Sequence, residues 1–492
     1  MKMRVLAALA ITCSLAGGCA FVAPFPDLAP DPAGEDQQPP AGEGAHVASA
    51  GFGGAGEQRG TAVVATASGT VIAASASGAL DLGGGELTEL GNASSPDCAI
   101  ASFSSDGEHR FSRRFGDCVA RGLAVGVDGD LILAGSSDGD VDFGGGVLPR
   151  TSANEDMVLA RFDAYGVHRW SRRFGNGASQ IATAVAVDAA GNSYVTGTFW
   201  GKLDFDPKKS EQNINSLGAD DQEAEDEEDL VLNSAGESDG FLVKIDAEGQ
   251  AVWARRFGDG AHHQAGTAVA VDGQGNVILA GWFKGTLGLG TAGEESVGES
   301  DAFVAKLSSS GDLLWKRVAP SGSAARALGV AADSAGNVAV VGSFRGDLTV
   351  GSAHLTNAGD KDIVVVKLDE NGSPLWVKSF GDAADQEALA VSTDPAGNVL
   401  VTGAFLGRVE LGASPLEASG APDGFLAKLA SGGDVLWARS FGDVGEQGGA
   451  AIDTDPLGNT WATGYFSGVV DFGGGSIQSG GASDVFLVEL GP

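Results

Sequence analysis

Basic residues are scarce in this chain: 30 Lys and Arg stand against 65 Asp and Glu in 492 residues, a formal net charge of −35. A field of that sign repels phosphate backbones and anionic lipid surfaces, which argues against nucleic acid and favours cations or basic partners. Beyond the first eighteen residues no apolar run is long enough for a membrane-spanning helix. Helical periodicity is missing throughout the body of the chain. No His-Glu-x-x-His occurs, so that metalloprotease signature is absent. A triad assembled from distant loops stays open.

Cysteine is also sparse, with four in all. Cys13 falls in a leader: Lys2 and Arg4 precede an apolar run from Val5 to Leu15, too short to cross a bilayer as a mature helix. The leader ends Leu15-Ala16-Gly17-Gly18-Cys19, which resembles the lipobox of bacterial lipoproteins, with Ala16 where the usual leucine stands. The resemblance implies a signal peptide over residues 1–18 and lipid attachment at Cys19. Ala20 in place of Asp implies an outer-membrane lipoprotein, periplasmic or surface-facing, held by its lipid alone. Simple secretion is the alternative. Residues 19–45 hold six of the 16 prolines among acidic residues, the composition of a semi-rigid tether. Cys98 and Cys118 flank a predicted hairpin that turns at Ser105-Asp106-Gly107-Glu108. Antiparallel pairing around that turn would set them nearly opposite, and export favours a disulfide.

What fills residues 46–492 is repetition. Phe-Gly recurs at Phe52, Phe115, Phe174, Phe257, Phe380 and Phe441, with a degenerate copy at Val318-Ala319. The spacing is 59 to 63 residues except for one interval of 83. Within the third full copy, Ala184–Asp188, Ser193–Phe199, Phe241–Ile245 and Val252–Phe257 are short β runs divided by Gly, Asn and Asp turns. Four strands per copy and seven copies describe an all-β fold, a seven-bladed β-propeller of four-stranded blades. The last copy lacks its final strand and the spare run His46–Gly53 matches it, so the ring is expected to close with the N-terminal strand in the last blade. The phrases Ala-Val-Ala-Val-Asp-x-x-Gly-Asn and Asp-Gly-Phe-Leu-Val-Lys resemble the bacterial SBBP-type β-propeller repeat family. That resemblance implies an exported propeller and carries no catalytic residues with it.

Residues that return in every copy serve the blade, and singletons are the better site candidates. Asp97, Asp156, Asp239, Asp301, Asp362, Asp423 and Asp484 each precede a strand, and Arg113, Arg172, Arg255, Arg317, Lys378 and Arg439 follow an aromatic by two places. Their pairing within blades is the structural expectation; seven repeated metal sites are the sharper alternative. Asp128, Asp188, Asp272, Asp333, Asp394 and Asp455 lead Asp-x-x-Gly turns, and Trp170, Trp253, Trp315, Trp376 and Trp437 are assigned to packing between blades.

Four groups of singletons remain. The long interval carries an acidic insertion, 206–238, with Asp220, Asp221, Glu223, Glu225, Asp226, Glu227, Glu228 and Asp229. It reads as a solvated loop, with Ca2+ the cation and a basic protein the partner it would suit. Asp138, Asp140 and Asp142 form a weaker calcium candidate. His262 and His263 are adjacent in a loop without an identifiable third ligand. Trp200, Trp282 and Trp461 are unrepeated aromatics, available for stacking on a ligand or for filling gaps. No catalytic residue emerges. The expectation is a monomeric, membrane-anchored, extracytoplasmic propeller that binds an unidentified protein or polysaccharide. The alternative is a carbohydrate-active or other extracellular enzyme with its site at the channel mouth.

Overall fold

The computed structural model describes residues 44–92, 95–206, 230–290, 293–412 and 414–492. The leader, Cys19, nearly all of the tether and the eight carboxylates from Asp220 to Asp229 lie outside them. The described residues contain no α-helix, and no helix long and apolar enough to cross a membrane.

Seven four-stranded antiparallel sheets are arranged as blades. The third blade is typical: Gln180–Val187, Ser193–Phe199, Asp239–Ile245 and Ala251–Phe257, paired in that order with Val185 opposite Val195 and Val195 opposite Val243. Alternating Ala and Val suit an inner strand, because small and β-branched side chains fill the narrow space between neighbouring pleated sheets. Each first strand carries a bulge, between Ala182 and Ala184 here, which sharpens its twist. The first strands of successive blades pack against one another around the ring, and the seventh packs on the first. Hydroxyls cross the seams: Thr183 donates to the Gly266 carbonyl at 2.7 Å, and Thr454 to that of Thr393 at 3.0 Å.

The last blade combines Gln447–Thr454, Thr460–Phe466 and Asp484–Leu490 with His46–Phe52 from the front of the chain. Ser49 lies opposite Val488, and Gly491 donates to the Ala45 carbonyl at 2.7 Å. Both ends of the array are thus spent on one sheet and no open edge is left between them.

Two features of the strands depart from the sequence reading. Every blade has a further two-stranded hairpin between its second and third strands, as in Lys202–Asp204 with Val231–Asn233. These pieces are two or three residues long, too short for alternation to reveal. The register also moves the degenerate mark by one place. Phe257 lies opposite Gly240, and Ala319 lies opposite Ala302, so Ala319 rather than Val318 takes the phenylalanine position.

Four of the five repeated tryptophans, Trp170, Trp253, Trp315 and Trp376, bridge blades with both halves of the side chain. Trp170 Nε1 donates to the Ala247 carbonyl of the next blade at 2.8 Å, as does Trp315 to Glu370 at 2.9 Å. Gly249, at φ +83°, lies beneath the Trp170 ring, where a Cβ would come within 2.8 Å of it. Only glycine serves there, for space and for its left-handed backbone.

Cys98 and Cys118 are disulfide-bonded with 5.1 Å between Cα atoms, but not across the hairpin. Cys98 lies opposite Phe115, while Cys118 opens the first strand of the next blade and lies opposite Ser137. The bond therefore staples the first blade to the second.

Candidate functional site

The antiparallel blades define two ends of the ring. One bears the Asp-led turns between first and second strands. The other bears the Phe-Gly marks, the small hairpins and the links between blades.

At the Asp-turn end the local chemistry is repeated. Asp188 Oδ1 accepts the amides of Ala190 and Asn192 at 3.0 and 2.9 Å, closing the turn on itself. Its counterparts also take a buried lysine from the third strand: Asp272 with Lys306 at 2.7 Å, Asp333 with Lys367 at 3.0 Å and Asp394 with Lys428 at 2.9 Å. Burial pushes these carboxyls up, but hydrogen bonds from the lysine and the turn asparagine outweigh it and hold them below the ordinary value. The lysine of Asp-Gly-Phe-Leu-Val-Lys is thus half of an ion pair that sequence reading left unpaired. In the second blade Gly126 leads the turn instead, and Asp130 pairs with Arg161 at 2.9 Å, so Asp128 is not the turn leader expected.

The seventh blade reverses the pattern. Its third strand reads Phe-Leu-Val-Glu, and Glu489, 8% exposed, faces Asp455 where a lysine stands in the third to sixth blades. Burial first and the Asp455 charge second push its carboxyl up to about 7. Asp453 is a second singleton of that blade. It joins three blades by accepting from the Ala65 amide and the Ser392 hydroxyl, both at 2.9 Å, and burial raises its pKa. Both acids become visible when the seven copies are aligned by position.

The strand-leading aspartates are structural within the described residues, but their partners differ from those expected. Arg114 meets Asp97 at 2.7 Å and Arg173 meets Asp156 at 2.8 Å. These are the neighbours of Arg113 and Arg172. Arg172, Arg255 and Arg317 instead lie over Trp170, Trp253 and Trp315, 5.5 to 5.9 Å from the ring centroids. Period two explains the difference, since adjacent residues face opposite sides of a strand. The arginine is lost by the sixth blade, where Ser440 replaces it. There burial, with a smaller push from Asp443, raises Asp423 to about 6.

The Phe-Gly end gathers the singletons read from the sequence except Trp461. The acidic insertion springs from the tip of the hairpin formed by Lys202–Asp204 and Val231–Asn233. Beside it, His263 Nε2 lies 2.6 Å from Glu237 and its Nδ1 lies 2.9 Å from the Ser238 hydroxyl. His262 turns to Asp259 at 2.9 Å. The histidines thus diverge onto separate carboxylates, and no group of three metal-ligating side chains exists among the described residues. Asp138, Asp140 and Asp142 diverge as well. They accept from the Ser95 hydroxyl, the Arg150 amide, and the Gly144 and Gly146 amides respectively.

Of the three tryptophans, Trp461 is buried in the core between the last and first blades, and Trp200 is half-buried. Trp282 lies under Arg326 of the fifth blade at 4.6 Å, and Tyr465 under Arg59 of the first at 4.2 Å. Two aromatic–arginine pairs therefore sit across blade seams at this end, and an ion pair, Arg121–Glu155 at 3.4 Å, lies within the second blade. The face is mixed in charge rather than uniformly acidic.

Residues 169–202 match the SBBP beta-propeller repeat. The match runs from the last strand of the second blade into the third. An uncharacterized WD repeat-containing protein of Acanthamoeba polyphaga mimivirus is 26% identical over 213 residues, covering 38% of this chain and 14% of that protein. Among solved structures, the Pan2 WD40 domain of Neurospora crassa is 12% identical, with 88% of this chain and 89% of that one covered and a TM-score of 0.42. A gluconolactonase of Xanthomonas campestris is also 12% identical, with 76% and 89% covered and a TM-score of 0.34. What those proteins bind or catalyse belongs to them.

Proposed function

We propose that this protein is an extracytoplasmic binding or scaffold module, tethered to the outer membrane through lipid on Cys19, whose ligand meets the Phe-Gly end of the ring. The observation that carries the reading is segregation. The insertion stem, His262 and His263, and the Trp282–Arg326 and Tyr465–Arg59 pairs all lie at one end, whereas the opposite end is dominated by repeated, internally satisfied turns. Arginine over an aromatic ring presents a flat amphipathic surface suited to a protein or polysaccharide. The acidic insertion adds a field that favours a basic partner, with Ca2+ as the cation it would bridge through.

The test is cross-linking in intact envelopes, comparing the full chain with a variant lacking residues 207–229. A partner captured by the full chain and lost in the deletion supports a binding face at the insertion. Equal capture by both removes the insertion from the reading. Absence of any specific partner, together with turnover of a polysaccharide or peptide, would favour the enzyme instead.

A further inference from the structure

The fifth blade carries small residues at three coordinated positions that hold rings or larger aliphatic side chains in most other blades. The terminal residue of the preceding blade's last strand is phenylalanine everywhere else, from Phe52 to Phe441, and is Ala319 here. The third residue of the third strand is Phe241, Phe303, Phe425 or Phe486 in four other blades and Val364 here. The residue two places after the buried aliphatic of the first hairpin arm is Phe143, Phe205, Phe472 or a leucine elsewhere and Val350 here. In the fourth blade the corresponding rings of Phe257 and Phe303 meet edge to face at 5.3 Å, and in the seventh those of Phe441 and Phe486 at 5.0 Å. Where those rings would stand, the fourth and fifth blades leave a cavity of about 140 Å³ bordered by Ala319, Val350 and Val364. It opens toward Gly351 and Pro374, which are exposed.

Enclosed apolar cavities of this size stay dry and accept a benzene-sized guest, because water gains too few hydrogen bonds inside to repay its transfer; this slot has a mainly aliphatic wall, is open on one side, and is also bordered by Arg317, Arg326 and Ser343. The other blades show what the space is shaped for: a phenyl ring entering between two sheets and meeting aliphatic side chains. We infer that the slot between the fourth and fifth blades is a binding site for a small uncharged aromatic molecule. This goes beyond the binding face proposed above: the slot shares Arg326 with the Trp282–Arg326 pair but no residue with the insertion or the histidine loop, so the deletion of 207–229 tests that reading and toluene tests this one.

The experiment uses toluene as the probe, with the methyl resonances of Val350 and Val364 and the thermal midpoint as readouts. The expected result is a saturable shift of both valines at millimolar toluene and a higher midpoint. Ala319→Phe should abolish both effects while leaving the ring folded, because it restores the side chain the other blades carry. Val364→Phe, which fills the slot from the opposite wall, guards against a folding failure of the first variant. Unmoved valine resonances at saturating toluene would overturn the site. So would equal toluene responses in the native protein and a folded filled variant.

Discussion

Glu489 shows how much a single side chain can change within a repeated frame. In three other blades its position supplies a lysine that neutralises a buried aspartate; here it adds a second carboxyl beside Asp455. A carboxyl whose pKa rises on folding holds its proton more tightly in the folded chain. The stability it contributes is complete below its ordinary value of 4.5 and is lost as pH rises toward 7. Asp423 acts in the same direction between 3.8 and about 6. The lysine-paired aspartates act oppositely, losing their contribution as pH falls through their lowered values. Glu489→Lys is therefore expected to stabilise the protein at neutral pH by about 1–3 kcal/mol and to flatten the decline between pH 4.5 and 7. Urea unfolding across that range measures both effects, and an unchanged slope would show that Glu489 is not responsible.

Elements were unevenly legible. The four blade strands announce themselves because small and branched residues alternate between Gly and Asp turns, whereas the hairpin arms are two or three residues long and show no period. One consequence concerns the insertion. Its full sequence range, 206–238, contains the hairpin strand Val231–Asn233 and the buried Leu232. Deletion of 207–229 alone should leave the melting temperature nearly unchanged, whereas deletion of 206–238 should lower it by removing half of a packed hairpin. Equal melts for the two would deny the hairpin any stabilising role. The disulfide makes a second element-scale case. Its 20-residue separation predicts a loss of about 2–4 kcal/mol on reduction. Because Cys98 and Cys118 belong to different blades, hydrogen exchange should quicken first at the seam between them rather than within the hairpin Asp97–Phe115.

At the scale of the whole molecule, stability depends on closure. Strand His46–Phe52 completes the last blade, and Asp453 ties that blade to both neighbours. Removing residues 44–53 should expose the edge of Asp484–Leu490, lower the melting temperature sharply and promote association through the bared strand, as read by calorimetry and size-exclusion chromatography. A monomeric variant with an unchanged melt would mean the ring closes without it. By itself the sequence determined the number of blades, their strands and the closing strand, because local alternation, turn residues and a period near 61 are properties of neighbours along the chain. Only the tertiary structure decided which charges pair, which blades the disulfide joins, and where three small residues become a single cavity. Those depend on side chains brought together from different strands and blades, and strand period two sends adjacent residues such as Arg113 and Arg114 to opposite faces.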